Sequence, residues 1–180
     1  MTTAISTDGR RPTTWAGYAA SLWAFLFAAP HIYWALGGRA GLTFSLAPRG
    51  PTEKALIRDP VFTATGLWGV GVLCLIAALA ALASVRPWGR LIPRGVLLSA
   101  IWGACAVSVL RAFLLPGFVR STLYVTGAVA LPEDMDPAWP RWDLMLFAPW
   151  FLIGGVLFGA AAWFYQRRSS SMAVAASRRH

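Results

Sequence analysis

The stretch that decides the fold is residues 61–85, VFTATGLWGVGVLCLIAALAALASV, which contains no charged residue. At a helical rise of about 1.5 Å per residue, roughly 20 residues cross the 30 Å hydrocarbon core of a bilayer. The stretch is therefore long enough to span a membrane. An uncharged segment of this length is typical of a transmembrane helix.

The composition of the whole chain agrees with a membrane protein. Apolar residues make up 57% of the 180 residues and charged residues only 13%, whereas about 25% charged is usual in a soluble domain. Three further apolar stretches lie at about 14–36, 93–115 and 144–165. The sequence therefore predicts an all-α, polytopic bundle of four transmembrane helices over residues 14–166. Residues 1–13 are predicted to be a cytoplasmic tail and residues 167–180 a basic cytoplasmic tail.

The first apolar stretch differs from a signal peptide. A signal peptide has an apolar region of about 7–15 residues that ends at small residues. This stretch is longer and ends in the bulky run His31-Ile32-Tyr33-Trp34. We therefore interpret it as a retained helix. The segments at 37–60 and 116–143 are predicted to be loops, and Phe118, Val119 and residues 123–125 in the second loop are candidates to lie along the membrane interface.

The distribution of Lys and Arg predicts the orientation, because these residues are enriched in cytoplasmic segments. With the N-terminus inside, nine basic residues fall in inner segments and six in outer loops. This excess predicts that both termini are cytoplasmic (N-in/C-in). The inner set is Arg10, Arg11, Arg86, Arg90, Arg94, Arg167, Arg168, Arg178 and Arg179, and the outer set is Arg39, Arg49, Lys54, Arg58, Arg120 and Arg141.

Several classes of function have no support in the sequence. The net charge of +9 does not form a basic stripe with interleaved aromatic residues, so we expect no nucleic-acid binding. The cysteines, Cys74 and Cys105, form no C-x-x-C pair, and His31 and His180 are the only histidines. Metal sites with three or four N/S ligands, and a haem held by two membrane histidines, are therefore not expected. No cofactor is predicted.

Two residues interrupt the apolar spans, His31 in the first and Arg111 in the third. Ionisable residues in a span are costly to insert, at about 2.5–3.5 kcal/mol for Arg at the centre, and are functional candidates for that reason. Both lie four or five residues from the outer end of their helix, so both are roughly 7 Å below the outer boundary. Asp143 enters the fourth helix at the same rim, and Asp59 precedes the second helix. All four helices can therefore bring one ionisable group to the same corner.

This cluster has three interpretations. Arg111 can hold a carboxylate or phosphate and Asp143 can pair with it, while His31 can exchange a proton near neutral pH. The cluster is then a ligand site flanked by Trp34 and Trp142, or a catalytic site. Alternatively, it is a structural polar cluster, in which Arg111 reaches to the membrane surface.

Two prolines lie near the same depth as this cluster. Pro30 and Pro149 each remove a backbone hydrogen bond and tend to kink a helix. Kinks at equal depth on two helices are expected to favour a pocket in the outer half of the bundle.

Three groups of residues resemble a known family. They are PHIYWALGG at 30–38, RWD at 141–143, and PWF at 149–151 followed by Gly154 and Gly155. The chain resembles small bacterial four-helix membrane proteins known as domain of unknown function 3995, over about residues 15–164. The resemblance implies a membrane bundle and carries no established activity.

These observations leave three functional hypotheses open. The first is binding of a membrane lipid or small amphipathic ligand in a polar pocket near the outer face, with His31, Trp34, Asp59, Arg111, Trp142 and Asp143 as candidate residues. The second is a membrane enzyme that acts on a lipid or isoprenoid-like substrate, with His31 and Asp143 as an acid–base pair. The third is a structural or accessory subunit with a protein partner or in a homo-oligomer. The expected location is the bacterial cytoplasmic membrane.

Overall fold

The computed structural model describes residues 14–42, 59–114, 117–133 and 135–177, with side chains up to residue 168. Within these ranges the regular structure is helical and there is no strand. The helices are α1 (Trp15–Ala35), α2 (Pro60–Ala83), α3 (Arg94–Phe113), α4 (Gly117–Val125) and α5, which begins at Trp139 and ends at Ser177. The tail predicted at 1–13, most of the first loop and the last three residues lie outside the described residues.

Two of these helices contain a π-helical segment. In α2 it is Thr63–Gly69, between the turn Pro60–Phe62 and the α-helix Val70–Ala83. In α5 it is Asp143–Phe147, between Trp139–Trp142 and Ala148–Ser177. A short 3₁₀ helix, Pro87–Leu91, connects α2 to α3.

Three helical segments are long and apolar enough to cross a membrane: Pro60–Ala83, Arg94–Val125 and Trp139–Arg168. They correspond to the predicted spans 61–85, 93–115 and 144–165. The fourth predicted span, 14–36, forms helix α1 but is not among the three. Its three Trp, two Tyr and single Pro and His lower its hydropathy. The last helix also extends past its predicted end, into the segment predicted to be a basic tail.

The long helices α1, α2, α3 and α5 alternate in direction. Gly17 near the start of α1 lies against Val85 just past the end of α2, and Gly71 near the middle of α2 lies against Ile32 near the end of α1. The ring of Trp15 meets Phe164 of α5 at a centroid distance of 6.4 Å. The start of α1, the end of α2, the start of α3 and residues 163–168 of α5 therefore share one end, which we call the basic end. The opposite end is the His31 end.

Trp23 of α1 lies at the centre of the aromatic core. Its indole stacks on Phe27 and Trp150 and meets Phe158 edge-on. Its Nε1–H donates to the carbonyl oxygen of Trp150 at 3.1 Å. A Cβ at Gly154 would lie 2.5 Å from this indole, so the glycine allows α5 to approach α1. Close approach through small residues is how helices associate in lipid.

Large apolar side chains point away from the bundle along its whole length. Leu22, Leu73, Val107, Met145 and Val156 are each more than half exposed. In water such a surface would drive aggregation. In a bilayer the lipid chains solvate it, so the pattern of exposure agrees with the three apolar helices.

Candidate functional site

Asp143 is the most buried ionisable residue at the His31 end, with a side chain that is 0% exposed. Nη2 of Arg111 donates to its Oδ1 at 3.0 Å, and Oγ of Ser121 donates to its Oδ2 at 2.7 Å. The carboxylate therefore connects α5 with α3 and α4. A buried carboxylate is tolerated only where such partners replace water, and here each of its oxygens has one. The pairing of Arg111 with Asp143 anticipated from the sequence is present.

His31 has a defined tautomer when neutral. Its Nδ1 lies 2.8 Å from the carbonyl oxygen of Phe27. Because a carbonyl can only accept, Nδ1 must carry the proton, and Nε2 is left as the ring atom available to a ligand. The imidazole is half-buried between the rings of Phe27 and Trp34, at centroid distances of 4.7 and 5.3 Å.

His31 and Arg111 line one cavity of about 200 Å³, which we call the polar cavity. All four long helices contribute to its wall. Since a water molecule occupies about 30 Å³ in the liquid, this space suits a small polar headgroup. Its lining residues are Phe27, His31, Trp34, Phe62, Gly66, Leu67, Arg111, Trp139, Phe147 and Phe151.

Two buried hydrogen-bond donors belong to residues of this cavity. Nη1 of Arg111 and Nε1 of Trp139 are both buried, and neither has an acceptor among the described residues. Trp139 is 7% exposed. The Arg111 guanidinium also lies 4.8 Å from the centre of the Phe151 ring. A buried donor without an acceptor costs about 1–3 kcal/mol. A bound molecule that supplied acceptor atoms to these two N–H groups would remove this cost.

The two π-helical segments lie beside this cavity. Gly66 and Leu67 come from the segment in α2, and Phe147 and the partner Asp143 come from the one in α5. Pro149 follows the second segment and has no N–H to donate back to the preceding turn. Single-turn π segments are frequent at functional sites, and here both occur at the His31 end. Pro30 lines an adjoining cavity of about 280 Å³ that shares His31 and Trp34 with the polar cavity.

The structure separates the six sequence candidates. His31, Trp34 and Arg111 line the polar cavity. Asp143 accepts a hydrogen bond from Arg111 and is not itself a lining residue. Trp142 is 48% exposed and lies outside the cavity lining. Asp59 is exposed as well, and its Oδ1 accepts the Val61 N–H at 2.8 Å as the N-cap of α2. The expectation that all four helices bring an ionisable group to one corner therefore fails for α2.

Two residues of the site were missed in the sequence. Trp139 is not among the six candidates, although it lines the polar cavity. Ser121 lies in a segment predicted to be a loop, which instead forms helix α4 and supplies a partner for Asp143. No residue pattern around Ser121 indicates that contact. Across the described ranges, no three His, Cys, Asp or Glu side chains are placed to share a metal ion.

The fold and its exposed apolar surface define an all-α, multi-pass membrane protein. Residues 24–158 match a family described as a protein of unknown function, DUF3995. Because the match covers most of the chain, the protein belongs to this family. No curated protein and no solved structure matches it significantly.

Proposed function

We propose that this protein binds an amphipathic molecule and takes its oxyanion, a carboxylate or a phosphate, into the polar cavity. The observation that carries the proposal is the pair of buried N–H donors, Nη1 of Arg111 and Nε1 of Trp139, which have no acceptor among the described residues. Both residues line a single cavity.

An oxyanion suits these donors better than a neutral group does. It presents acceptor atoms only, and hydrogen bonds to charged groups contribute about 1.5–3 kcal/mol. Asp143 takes one side of the Arg111 guanidinium, and this contact orients the planar fork so that Nη1 stays available. The aromatic walls, Phe27, Phe147 and Phe151, keep water away and strengthen each polar contact.

An enzyme acting on the bound molecule is the second candidate. The observation that favours it is the orientation of His31, whose Nδ1–H is held by the Phe27 carbonyl. That bond leaves Nε2 as an acceptor on a ring that lines the same cavity, which is the arrangement a general base requires. Conversion of the bound molecule to a product, lost in His31→Gln, would distinguish this candidate from binding alone.

The cavity is proposed to face the outer side of the cytoplasmic membrane of a bacterium, with α1 as the fourth span and both termini inside. Two observations support this arrangement. Contacts of Gly17 and Gly71 at widely separated levels keep α1 alongside the apolar helix α2. The basic end carries the arginines that favour a cytoplasmic position, namely Arg86, Arg90, Arg94, Arg167 and Arg168.

This orientation is tested by cysteine labelling in intact cells, in a background in which Cys74 and Cys105 are alanine. A membrane-impermeant maleimide is expected to label Arg39→Cys in intact cells, and to label Trp88→Cys only after lysis. The reverse pattern would contradict the orientation. Labelling of both variants in intact cells would contradict the arrangement as well, because the two positions lie on either side of α2.

Ligand binding is tested with Trp139→Phe, which removes one donor and keeps an aromatic ring. The matched control is Trp142→Phe, one turn away and outside the cavity. Mass spectrometry of molecules that co-purify with the folded proteins is expected to find a discrete amphiphile in wild type and control, and to find it depleted in Trp139→Phe. Loss of a bond worth about 1.5–3 kcal/mol corresponds to roughly 10- to 100-fold weaker binding. The same bulk lipid in all three samples would overturn the proposal.

A further inference from the structure

A third and larger cavity lies between α1, α2 and α3, and it is open on one side, because its lining residues Leu73 and Val107 are more than half exposed. Its volume is about 330 Å³, and we call it the apolar cavity. Its wall is almost entirely apolar, with Cys74 on α2 and Gly103 on α3 among the lining residues. Helices α2 and α3 make fewer contacts with each other than α1 makes with α2 or α3 makes with α5, which leaves room between them.

The apolar cavity adjoins the polar one. Phe27 and Phe151 line both cavities. On α3, the lining residues Ala100, Gly103 and Val107 recur at spacings of three and four and lead to Arg111. Residues at these spacings lie on one helix face. The two cavities therefore follow the same face of α3, with the unpartnered guanidinium nitrogen at one end and apolar walls at the other.

The dimensions suit one hydrocarbon chain. On α3 the lining of this cavity begins at Ala100 and ends at Ser108, over which the helix rises roughly 12 Å. Dividing the cavity volume of about 330 Å³ by that rise gives a mean cross-section of roughly 28 Å². A groove this narrow accommodates one extended chain more readily than the two chains of a bilayer phospholipid.

We propose that the ligand is a single-chain amphiphile, a fatty acid or a lysophosphatidate, whose oxyanion occupies the polar cavity while its chain occupies the apolar cavity. This inference rests on the proposed function, because the unpartnered donors of Arg111 and Trp139 define where the headgroup lies. The shared chemistry is one oxyanion on one chain. The carboxylate and the phosphate are distinguished by the choice of probe.

The chain site can be blocked without disturbing the headgroup site. A Cβ at Gly103 would meet nothing within 4 Å, so Gly103→Phe places a ring in the apolar cavity without a backbone clash. Gly95 is also open at its Cβ. It lies on the same helix about two turns toward the basic end and does not line the cavity. Gly95→Phe is therefore the matched control for a bulky residue on α3.

The experiment measures binding to protein in phosphatidylcholine nanodiscs, corrected for partition into empty nanodiscs. The probes are laurate and butyrate for the carboxylate, and lysophosphatidate and glycerol phosphate for the phosphate. We expect Gly103→Phe to weaken binding of the long-chain probe at least tenfold and to leave the short-chain probe unchanged. Gly95→Phe is expected to change neither, and Trp139→Phe to weaken both.

The possible failures are distinguishable. Equal binding of the long-chain probe to wild type and Gly103→Phe, still weakened by Trp139→Phe, would overturn the chain site and leave the headgroup site intact. Long-chain binding that is insensitive to Trp139→Phe would overturn both. Absence of binding of all four probes to wild type would also overturn both proposals.

Discussion

Replacing Arg111 by methionine removes the cation that neutralises the fully buried carboxylate of Asp143. Among the described residues, the hydroxyl of Ser121 is then the one donor that remains to that carboxylate. Breaking a buried ion pair by removal of one partner costs about 3–5 kcal/mol. We expect Arg111→Met to lower the free energy of unfolding by about this amount.

The two partners are not equivalent, because Asp143 is 0% exposed and the Arg111 side chain is 22% exposed. In Asp143→Asn the guanidinium keeps partial access to water or lipid headgroups and its contact with the Phe151 ring. The expected loss is therefore smaller, about 1–3 kcal/mol. The double variant Arg111→Met/Asp143→Leu removes both charges of the pair, and replacing a buried pair by apolar residues is often neutral. Its expected stability is close to that of wild type.

Unfolding by sodium dodecyl sulphate in mixed micelles, followed by far-UV circular dichroism, gives the free energies of unfolding of wild type and of these three variants. The expected order of destabilisation is Arg111→Met first, Asp143→Asn second and the double variant last. Equal losses in the two single variants would refute the argument from burial. A double variant as unstable as Arg111→Met would show that the charge on Asp143 is not the cause.

Two further changes test the packing and the hydrogen bonds. Gly154→Leu is expected to lower the free energy of unfolding by about 1–3 kcal/mol through overpacking, because a Cβ there meets the indole of Trp23 at 2.5 Å. A Cβ at Gly103 meets nothing within 4 Å, so Gly103→Leu should cost less in the same detergent titration. Equal losses in the two variants would contradict this packing. Ser121→Ala removes a 2.7 Å bond to the buried Asp143 and should cost about 1.5–3 kcal/mol, as measured by the same unfolding assay; unchanged stability would mean that this bond contributes nothing.

The site combines two features: an ion pair whose carboxylate is satisfied, and two N–H donors that lack acceptors in the described part of the chain. Asp143 has a hydrogen-bond partner on each oxygen, which is what a purely structural cluster requires. Nη1 of Arg111 and Nε1 of Trp139 have none among the described residues. The ion pair explains how the guanidinium is held in place, and the two donors without acceptors support the proposal of a ligand. The binding experiments therefore test the donors, and the unfolding measurements test the ion pair.

Much of the helical architecture was accessible from the sequence, because an uncharged apolar run of sufficient length can satisfy its backbone in lipid only as a helix. Residues 61–85 were predicted to be a span and form Pro60–Ala83. Position along a helix was accessible for the same reason. A constant rise per residue placed His31 and Arg111 at matching depth, and they line one cavity.

The direction in which each side chain points was decided only by the tertiary structure. Trp139 and Trp142 are about one turn apart on the same helix, yet of the two only Trp139 lines the polar cavity. Asp59 caps its own helix instead of joining the cluster, while Ser121 reaches Asp143 from a segment without the long apolar run of a span. Helical periodicity determines which residues share a face. Which face is turned inward depends on packing against the other helices, and that packing is a property of the assembled bundle.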